Sequence, residues 1–301
     1  MELQVYSSCS KNKIFIMKIF VTGATGFVGF NLVKALERKK VKVLAFARKT
    51  ENFKNKNLKY IKFFSKDIYK NKKIFEDFGV PDILIHLAWE GLPNYQEKFH
   101  LEKNLPNDLS FLKRAINAGV KQIIISGTCY EYGKQEGCLS EANKTIPYTK
   151  YAIAKDQLRK KLEKIKIKKK FVLQWIRIFY PFGKYQNKKS LIPSLDKAIK
   201  EGKKNFGITS KSIVRDFIPI NDVINFIIHL IYNKKLNGVI NCCSGKPQTI
   251  FQFVLDFCKK KNSKIKIRPN KFPIPNHEPI KFWGSTNKMT SLSFKLKNKF
   301  F

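Results

Sequence analysis

The chain has 301 residues, 43% of them hydrophobic, and a formal net charge of +38. That length and apolar fraction suit one large domain or two unequal lobes around a shared cleft, and exclude a chain disordered over most of its length. Lysines supply the charge along the whole chain, so it reads as a composition bias and not as a cationic patch for nucleic acid or a membrane; the densest run, residues 160–170, reads as a solvated helix end.

Residues 1–16 have neither a long apolar stretch nor a cleavage site, and read as an N-terminal extension ahead of the fold. From residue 17 onward strands and helices alternate. Residues 18–22 form a short buried strand, a glycine-rich turn follows, and residues 27–38 carry helical apolar periodicity. Further strands are predicted over 41–47, 60–64, 82–86, 122–126 and 171–178, with helices over 107–118 and 148–165. The strands are continuous apolar runs, as expected when both faces are buried. Their alternation with helices predicts a parallel sheet with right-handed crossovers. After about residue 180 the alternation weakens, leaving helices over 191–201, 221–232 and 249–260 and a strand over 239–242. The expected fold class is therefore α/β, a doubly wound Rossmann sheet over 17–180. A smaller mixed α/β substrate lobe covers 181–301, with part of 214–243 returning to the first domain.

The cysteines, Cys9, Cys129, Cys138, Cys242, Cys243 and Cys258, show no C-x-x-C spacing. They predict reduced thiols in a cytoplasmic protein, with neither a disulfide framework nor a metal site. No run of about 18 apolar residues is present, so no membrane-spanning helix is expected.

Chemistry enters at Gly23-Ala24-Thr25-Gly26-Phe27-Val28-Gly29, between the first strand and the first helix. Gly23 permits a tight turn, Gly26 lets the backbone approach a pyrophosphate, and Gly29 lets the helix pack closely on the sheet. The N–H groups of the turn and first helical residues then face the phosphates at the positive end of the helix dipole. After the second strand, where an acidic residue usually meets the ribose of NAD, the chain has Arg48. A guanidinium there suits a 2′-phosphate, so NADPH is the expected cofactor and NAD the alternative.

Tyr151 and Lys155 are four residues apart, on one face of the predicted helix. A nearby ammonium favours the phenolate, so Lys155 is expected to lower the Tyr151 pKa and to hold the cofactor ribose as well. At the end of the fifth strand, Ser126 and Thr128 share a facing, and either hydroxyl can serve beside Tyr151.

The Gly-x-x-Gly-x-x-Gly spacing, together with Tyr151 and Lys155, resembles the extended branch of the short-chain dehydrogenase/reductase superfamily, from about residue 17 to residue 288. The resemblance implies that Asp67 and Ile68 lie near the adenine, and that Leu87 and Ala88 lie beside the cofactor. It favours Thr128, five residues before Gly133, as the catalytic hydroxyl, and places an Asn near position 104. Arg177 to Gly183 resembles the passage into the substrate lobe. Arg215 would meet the pyrophosphate of a sugar nucleotide, or alternatively pair with Asp216 or Asp222. A homodimer through the helices near 104–118 and 148–165 is also implied.

Leu87-Ala88-Trp89-Glu90-Gly91-Leu92-Pro93-Asn94-Tyr95 and Gly127 to Gly133 are similar to reductases of NDP-4-keto-6-deoxyhexoses, which make deoxy sugars for surface polysaccharides. That likeness places Trp89, Asn94 and Tyr130 on the substrate side. Glu90 departs from it, since a small residue is expected there, and could alter sugar selection if it points into the cleft. The implied reaction is reduction of a C4 ketone, with Tyr151 as acid and Thr128 beside the developing alkoxide. Dehydratases of the family carry an Asp-Glu pair directly after the Thr; here those positions are Cys129 and Tyr130. Cys129 should face away if the strand alternation persists. A 4-epimerase with tightly bound NAD is the nearest alternative reaction, and a non-catalytic RNA-binding protein of the same fold is the alternative of another class.

Overall fold

The computed structural model describes residues 17–50, 58–274, 276, 279–297 and 300–301; the extension 1–16 lies outside the described residues. The apolar run Ile19–Thr22 (β1) is buried at all four positions because it has a parallel neighbour on each side. The other strands of the main sheet are Val43–Ala47 (β2), Ile61–Ser65 (β3), Ile83–His86 (β4), Gln122–Thr128 (β5), Val172–Ile178 (β6) and Gly238–Cys242 (β7). They pair in the order β7-β6-β5-β4-β1-β2-β3, every pair parallel. The order reverses between β1 and β4, and the crevice beyond the carboxyl ends of strands at such a switch point is where open α/β sheets bind ligands.

Successive strand residues point to opposite faces, and each face has its own apolar layer. Ile19 and Val21 join Val43, Ile83, Ile85, Ile124 and Ile176 in one layer, under Phe27–Arg38 (α1) and Ile220–Tyr232 (α5). Phe20, Leu84, Ile123, Ile125 and Trp175 face the other way, under Leu105–Ala118 (α2) and Lys150–Lys168 (α3). Helix α5 is apolar on most of its circumference, and Val223, Phe226, Ile227, Leu230 and Ile231 sink into the first layer with Ile240 and Cys242 of β7. Two helices, Leu191–Lys200 (α4) and Ile250–Lys260 (α6), enclose a separate small core of Leu195, Ile208, Val254, Phe257 and Cys258. Around it run two-stranded pieces, Val214–Asp216 with Pro247–Thr249 and Asn205–Gly207 with Lys266–Arg268.

Helix α3 starts two residues later than its periodicity predicts. Thr149 is extended, and its hydroxyl accepts the Ala152 N–H at 3.2 Å, capping the helix. Tyr148 therefore stays outside the helix, exposed, under the Lys134 ammonium. Helix α2 is preceded by a π turn, His100–Asn104, that the sequence pattern does not show. No helix among the described residues is long and apolar enough to cross a membrane. Cys129, Cys138, Cys242, Cys243 and Cys258 are free thiols.

Candidate active site

The glycine turn is held where the carboxyl ends of β1 and β4 meet. Gly23 has φ +66°, and a Cβ there would lie 2.6 Å from Ala88 N and from the Leu87 carbonyl carbon. A Cβ on Gly29 would lie 2.2 Å from Gly23 O, so the helix sits directly on the turn. Gly26 caps α1 with no side-chain hydrogen bond, and the first turn of α1 holds no acidic residue. Thr25, Phe27 and Val28 are half-buried around this open helix end. Such a cradle suits the phosphates of a dinucleotide. Beneath it, Thr22 Oγ1 bonds His86 Nδ1 at 2.8 Å, His86 Nε2 bonds Asp108 Oδ1, and the Tyr69 hydroxyl donates to Asp108 at 3.0 Å. This buried chain ties β1, β4, α2 and the loop after β3 together. In that loop Asp67 accepts the Tyr69 N–H at 2.9 Å and closes a turn, while the Ile68 side chain is buried in the core.

The structure brings Thr128 and Tyr151 together. The Thr128 hydroxyl hydrogen-bonds Tyr151 and also accepts the Tyr130 N–H at 3.2 Å. Ser126 is not the partner of Tyr151; its carbonyl instead accepts Lys155 Nζ at 2.9 Å. The expected lowering of the Tyr151 pKa is corrected. Burial raises it, with Tyr95 and Glu131 adding to the rise and Thr128 alone lowering it. Lys155 is also fully buried, and burial pulls its ammonium down to about 8 against the pull of Asp108 and Glu131. The spacing puts the two groups on one helix face, but Lys155 turns to Ser126 O and to the Trp89 ring, 4.0 Å from its ammonium. The strand alternation on which the facing of Cys129 depended does not continue past Thr128, because Cys129–Tyr132 is a 3-10 turn. Cys129 is buried with Tyr132, Phe179, Cys243 and Phe282.

Trp89 packs on α3. Its ring meets Tyr151 edge-on at 5.8 Å and stacks on His100 at 6.0 Å. Its indole N–H donates to His100 Nδ1 at 3.1 Å. Because Nδ1 accepts, Nε2 carries the proton and donates to Asn94 O at 2.9 Å. Burial holds His100 below its ordinary pKa, so the ring is neutral. Asn104 donates to Glu90 O at 3.1 Å and so fixes the next residue of the same loop. The Glu90 side chain runs toward β2, where it pairs with Arg48, and it reaches Lys103 at 3.1 Å. Arg48 is therefore not a free fork beside the turn.

On the lobe side a chain of ring contacts runs from Tyr151 to Tyr95 at 5.7 Å, from Tyr95 to Tyr130 at 5.2 Å and from Tyr130 to Tyr180 at 6.0 Å. Arg215 lies beyond them, buried between Tyr180 and Phe282 at 5.4 and 5.3 Å, and donates to Val214 O and Ile280 O. Asp216 is occupied elsewhere, by the N–H groups of Ser244, Gly245 and Gly284.

The family model of the NAD dependent epimerase/dehydratase family matches residues 19–243, from β1 through the end of β7. The chain belongs to this family. A dTDP-6-deoxy-L-talose 4-dehydrogenase (NAD(+)) of Aggregatibacter actinomycetemcomitans is 30% identical over 272 residues, 89% of this chain and 100% of that one. A GDP-6-deoxy-D-talose 4-dehydrogenase of the same organism is 25% identical over 281 residues, 92% of this chain and 91% of that one. In fold the chain is similar to a UDP-N-acetylglucosamine 4-epimerase from Methanobrevibacter ruminantium, with TM-score 0.84, 24% identity and 94% of each chain covered.

Glu131 and His100 shape the site without having been expected from the sequence. Glu131 is fully buried; it accepts the Thr128 N–H at 3.0 Å, Trp175 Nε1–H at 2.9 Å and Arg177 Nε–H at 2.8 Å. Thr128-Cys129-Tyr130-Glu131 is a capping-box pattern, and that spacing is a legible signal. His100 has no comparable signal, because it reaches Tyr151 only through the π turn.

Proposed function

We propose that this enzyme interconverts a ketone and an alcohol at C4 of an NDP-6-deoxyhexose with a nicotinamide dinucleotide, and that it works in the direction of reduction. The observation that carries this reading is the meeting of Thr128 and Tyr151 hydroxyls on a face that also holds Lys155. The nicotinamide, when bound, supplies the hydride. Tyr151 keeps its proton at neutral pH, as any phenol near its ordinary pKa does, and burial holds that proton more firmly; this is the state a general acid needs. Thr128 orients that phenol and offers a second hydroxyl to the sugar oxygen. Lys155, whose ammonium is held by Ser126 O and the Trp89 ring, is the group on this helix suited to ribose hydroxyls. Gly23, Gly26 and Gly29 would admit the pyrophosphate, and Trp89, Asn94, Tyr130 and Arg215 are the substrate-side residues. The relatives described as 4-dehydrogenases of 6-deoxytaloses support chemistry at C4 of a 6-deoxy sugar. They differ in their nucleotide, so either dTDP or GDP fits this reading.

The expected NADPH preference rested on a free Arg48. Glu90 takes that guanidinium and adds a negative charge where a 2′-phosphate would lie, so NAD(H) is the cofactor we infer. The test is a panel of NDP-4-keto-6-deoxyhexoses with NADH and NADPH, with products identified by mass spectrometry. Stoichiometric NADH oxidation is expected. Epimerisation of a 4-hydroxy sugar nucleotide without added cofactor, by enzyme that carries bound NAD, would overturn the assignment.

A further inference from the structure

A polar recess opens where residues 141–145 pass over α3 and the edges of β6 and β7. It has a volume of about 380 Å³, and Lys144, Thr145, Arg159, Lys160 and Arg177 line it with a single acid, Glu141. Glu141 is already engaged, accepting the Asn241 N–H at 2.7 Å.

Carboxylates outside the recess pair with three of these cations, so the recess is defined by its donors and not by an excess of charge. Asp156 takes Arg159 Nη2 at 2.6 Å and Lys160 Nζ at 2.7 Å. Glu163 takes Arg159 Nη1 at 2.7 Å, and Glu131 takes Arg177 Nε at 2.8 Å. Two donors remain. Arg177 Nη1 and Arg159 Nε are buried without an acceptor at hydrogen-bond distance among the described residues. Arg177 also meets Tyr132, whose ring lies 4.4 Å from the guanidinium, and Glu131 lies 3.7 Å from Arg159 Nε. Arg177 is only 2% exposed and Arg159 8%.

A guanidinium cannot escape this situation by losing its proton, and buried donors are rarely left without acceptors. Beside the recess, Lys288 donates to Val239 O at 2.6 Å; burial holds it below the ordinary lysine range, Glu141 opposes that shift, and Lys166 and Arg177 add to it. Two buried guanidinium N–H groups of lining residues and two lysines match a ligand with several acceptor oxygens and negative charge.

We propose that this recess is a binding site for a phosphate-type oxyanion, with Arg177 and Arg159 as the buried donors and Lys144 and Lys160 at its mouth. The site is separate from the glycine turn and from Tyr151, and stands whichever sugar the enzyme reduces. It shares one group with the catalytic face, since Glu131 bonds both Arg177 and the Thr128 N–H. Free phosphate and the phosphate of a sugar phosphate offer the same chemistry.

The experiment titrates inorganic phosphate by calorimetry into the full chain saturated with NAD and a nucleoside diphosphate, which fill the other anion sites. Ionic strength is held constant with chloride. One phosphate per chain is expected, with affinity reduced roughly fivefold or more by Lys144→Glu and by Lys160→Gln. These two variants are used because Arg177→Ala would unfold the sheet edge before it could report on binding. Glucose 1-phosphate in place of phosphate assigns the source: equal or tighter binding identifies a sugar phosphate, and exclusion identifies the free ion. Absence of phosphate binding above the chloride control, or binding that both lysine variants leave unchanged, would overturn the proposal.

Discussion

The glycine turn and the Tyr151 face are carried by one sheet but built by opposite means. The turn is backbone, set by missing side chains at Gly23 and Gly29 within 17–50. The face is side chains drawn from distant segments: Trp89 and His100 before α2, Thr128 at the end of β5 and Glu131 in the turn after it, Tyr151 and Lys155 on α3, and Arg177 on β6. A backbone site depends on excluded volume and tolerates no added atom. A side-chain site depends on hydrogen bonds and burial, so single changes should separate rate, stability and specificity.

The largest separation is expected at Tyr151. Tyr151→Phe should lower kcat by roughly 10²–10⁴ while leaving dinucleotide affinity and Tm near wild type. Tyr148→Phe should change neither, because Tyr148 is exposed outside the helix; an inactive Tyr148 variant with an active Tyr151 variant would reverse the assignment.

Glu131→Ala moves stability instead of chemistry. It leaves the Arg177 guanidinium buried without its carboxylate, and removal of one partner of a buried pair costs about 3–5 kcal/mol. Urea unfolding should show that loss; a cost under about 1 kcal/mol would mean that the cluster is solvated.

In the turn, Gly29→Ala should weaken dinucleotide binding by roughly 10², since the new Cβ displaces the Gly23 carbonyl and small misplacements carry penalties of that order. Titration of bound dinucleotide by fluorescence checks it, and unchanged affinity would show that the turn yields.

A pH profile comes next in size. Lys155 has its pKa lowered from 10.5 to about 8, so the ammonium is present below about pH 8 and lost above it. The kcat/KM for the reduced dinucleotide should fall up to tenfold per pH unit above that point, and Lys155→Met should be slower but lack that limb. The stability effect has the opposite sign. Burying the ammonium destabilises the fold fully below about pH 8, and the penalty fades as pH rises toward 10.5, because there the unfolded chain binds more protons.

The smallest effect is at Glu90. Glu90→Gln releases Arg48, and the ratio of kcat/KM for NADPH over NADH should rise by about tenfold, near 1.4 kcal/mol. An unchanged ratio would remove Glu90 from cofactor selection.

The parallel sheet was legible because its strands are continuous apolar runs separated by helical periodicity, and each run became a strand within a few residues of its expected bounds. The Tyr151–Lys155 pair was legible as an i, i+4 spacing, but the electrostatics of the pair were not. The spacing predicts a phenol acidified by its neighbour, whereas burial dominates and raises the Tyr151 pKa. Burial belongs to the packed chain, and no local pattern encodes its depth. Glu90 illustrates the same limit in direction. Its identity marks a departure from the resemblance, yet only the structure shows it reaching 42 residues back to Arg48.

By itself the sequence determined the strand–turn–helix cradle, the alternation that makes the sheet and the helix face bearing Tyr151 and Lys155. These depend on interactions within a few residues, whose spacing is written in the chain. Tertiary structure alone decided that Lys155 donates to Ser126, that Trp89 lies on Lys155, that Glu90 holds Arg48 and that Arg177 Nη1 is left without an acceptor. Each of these is a competition among donors, acceptors and solvent for a buried place, and it is settled only when segments far apart in the chain are packed together.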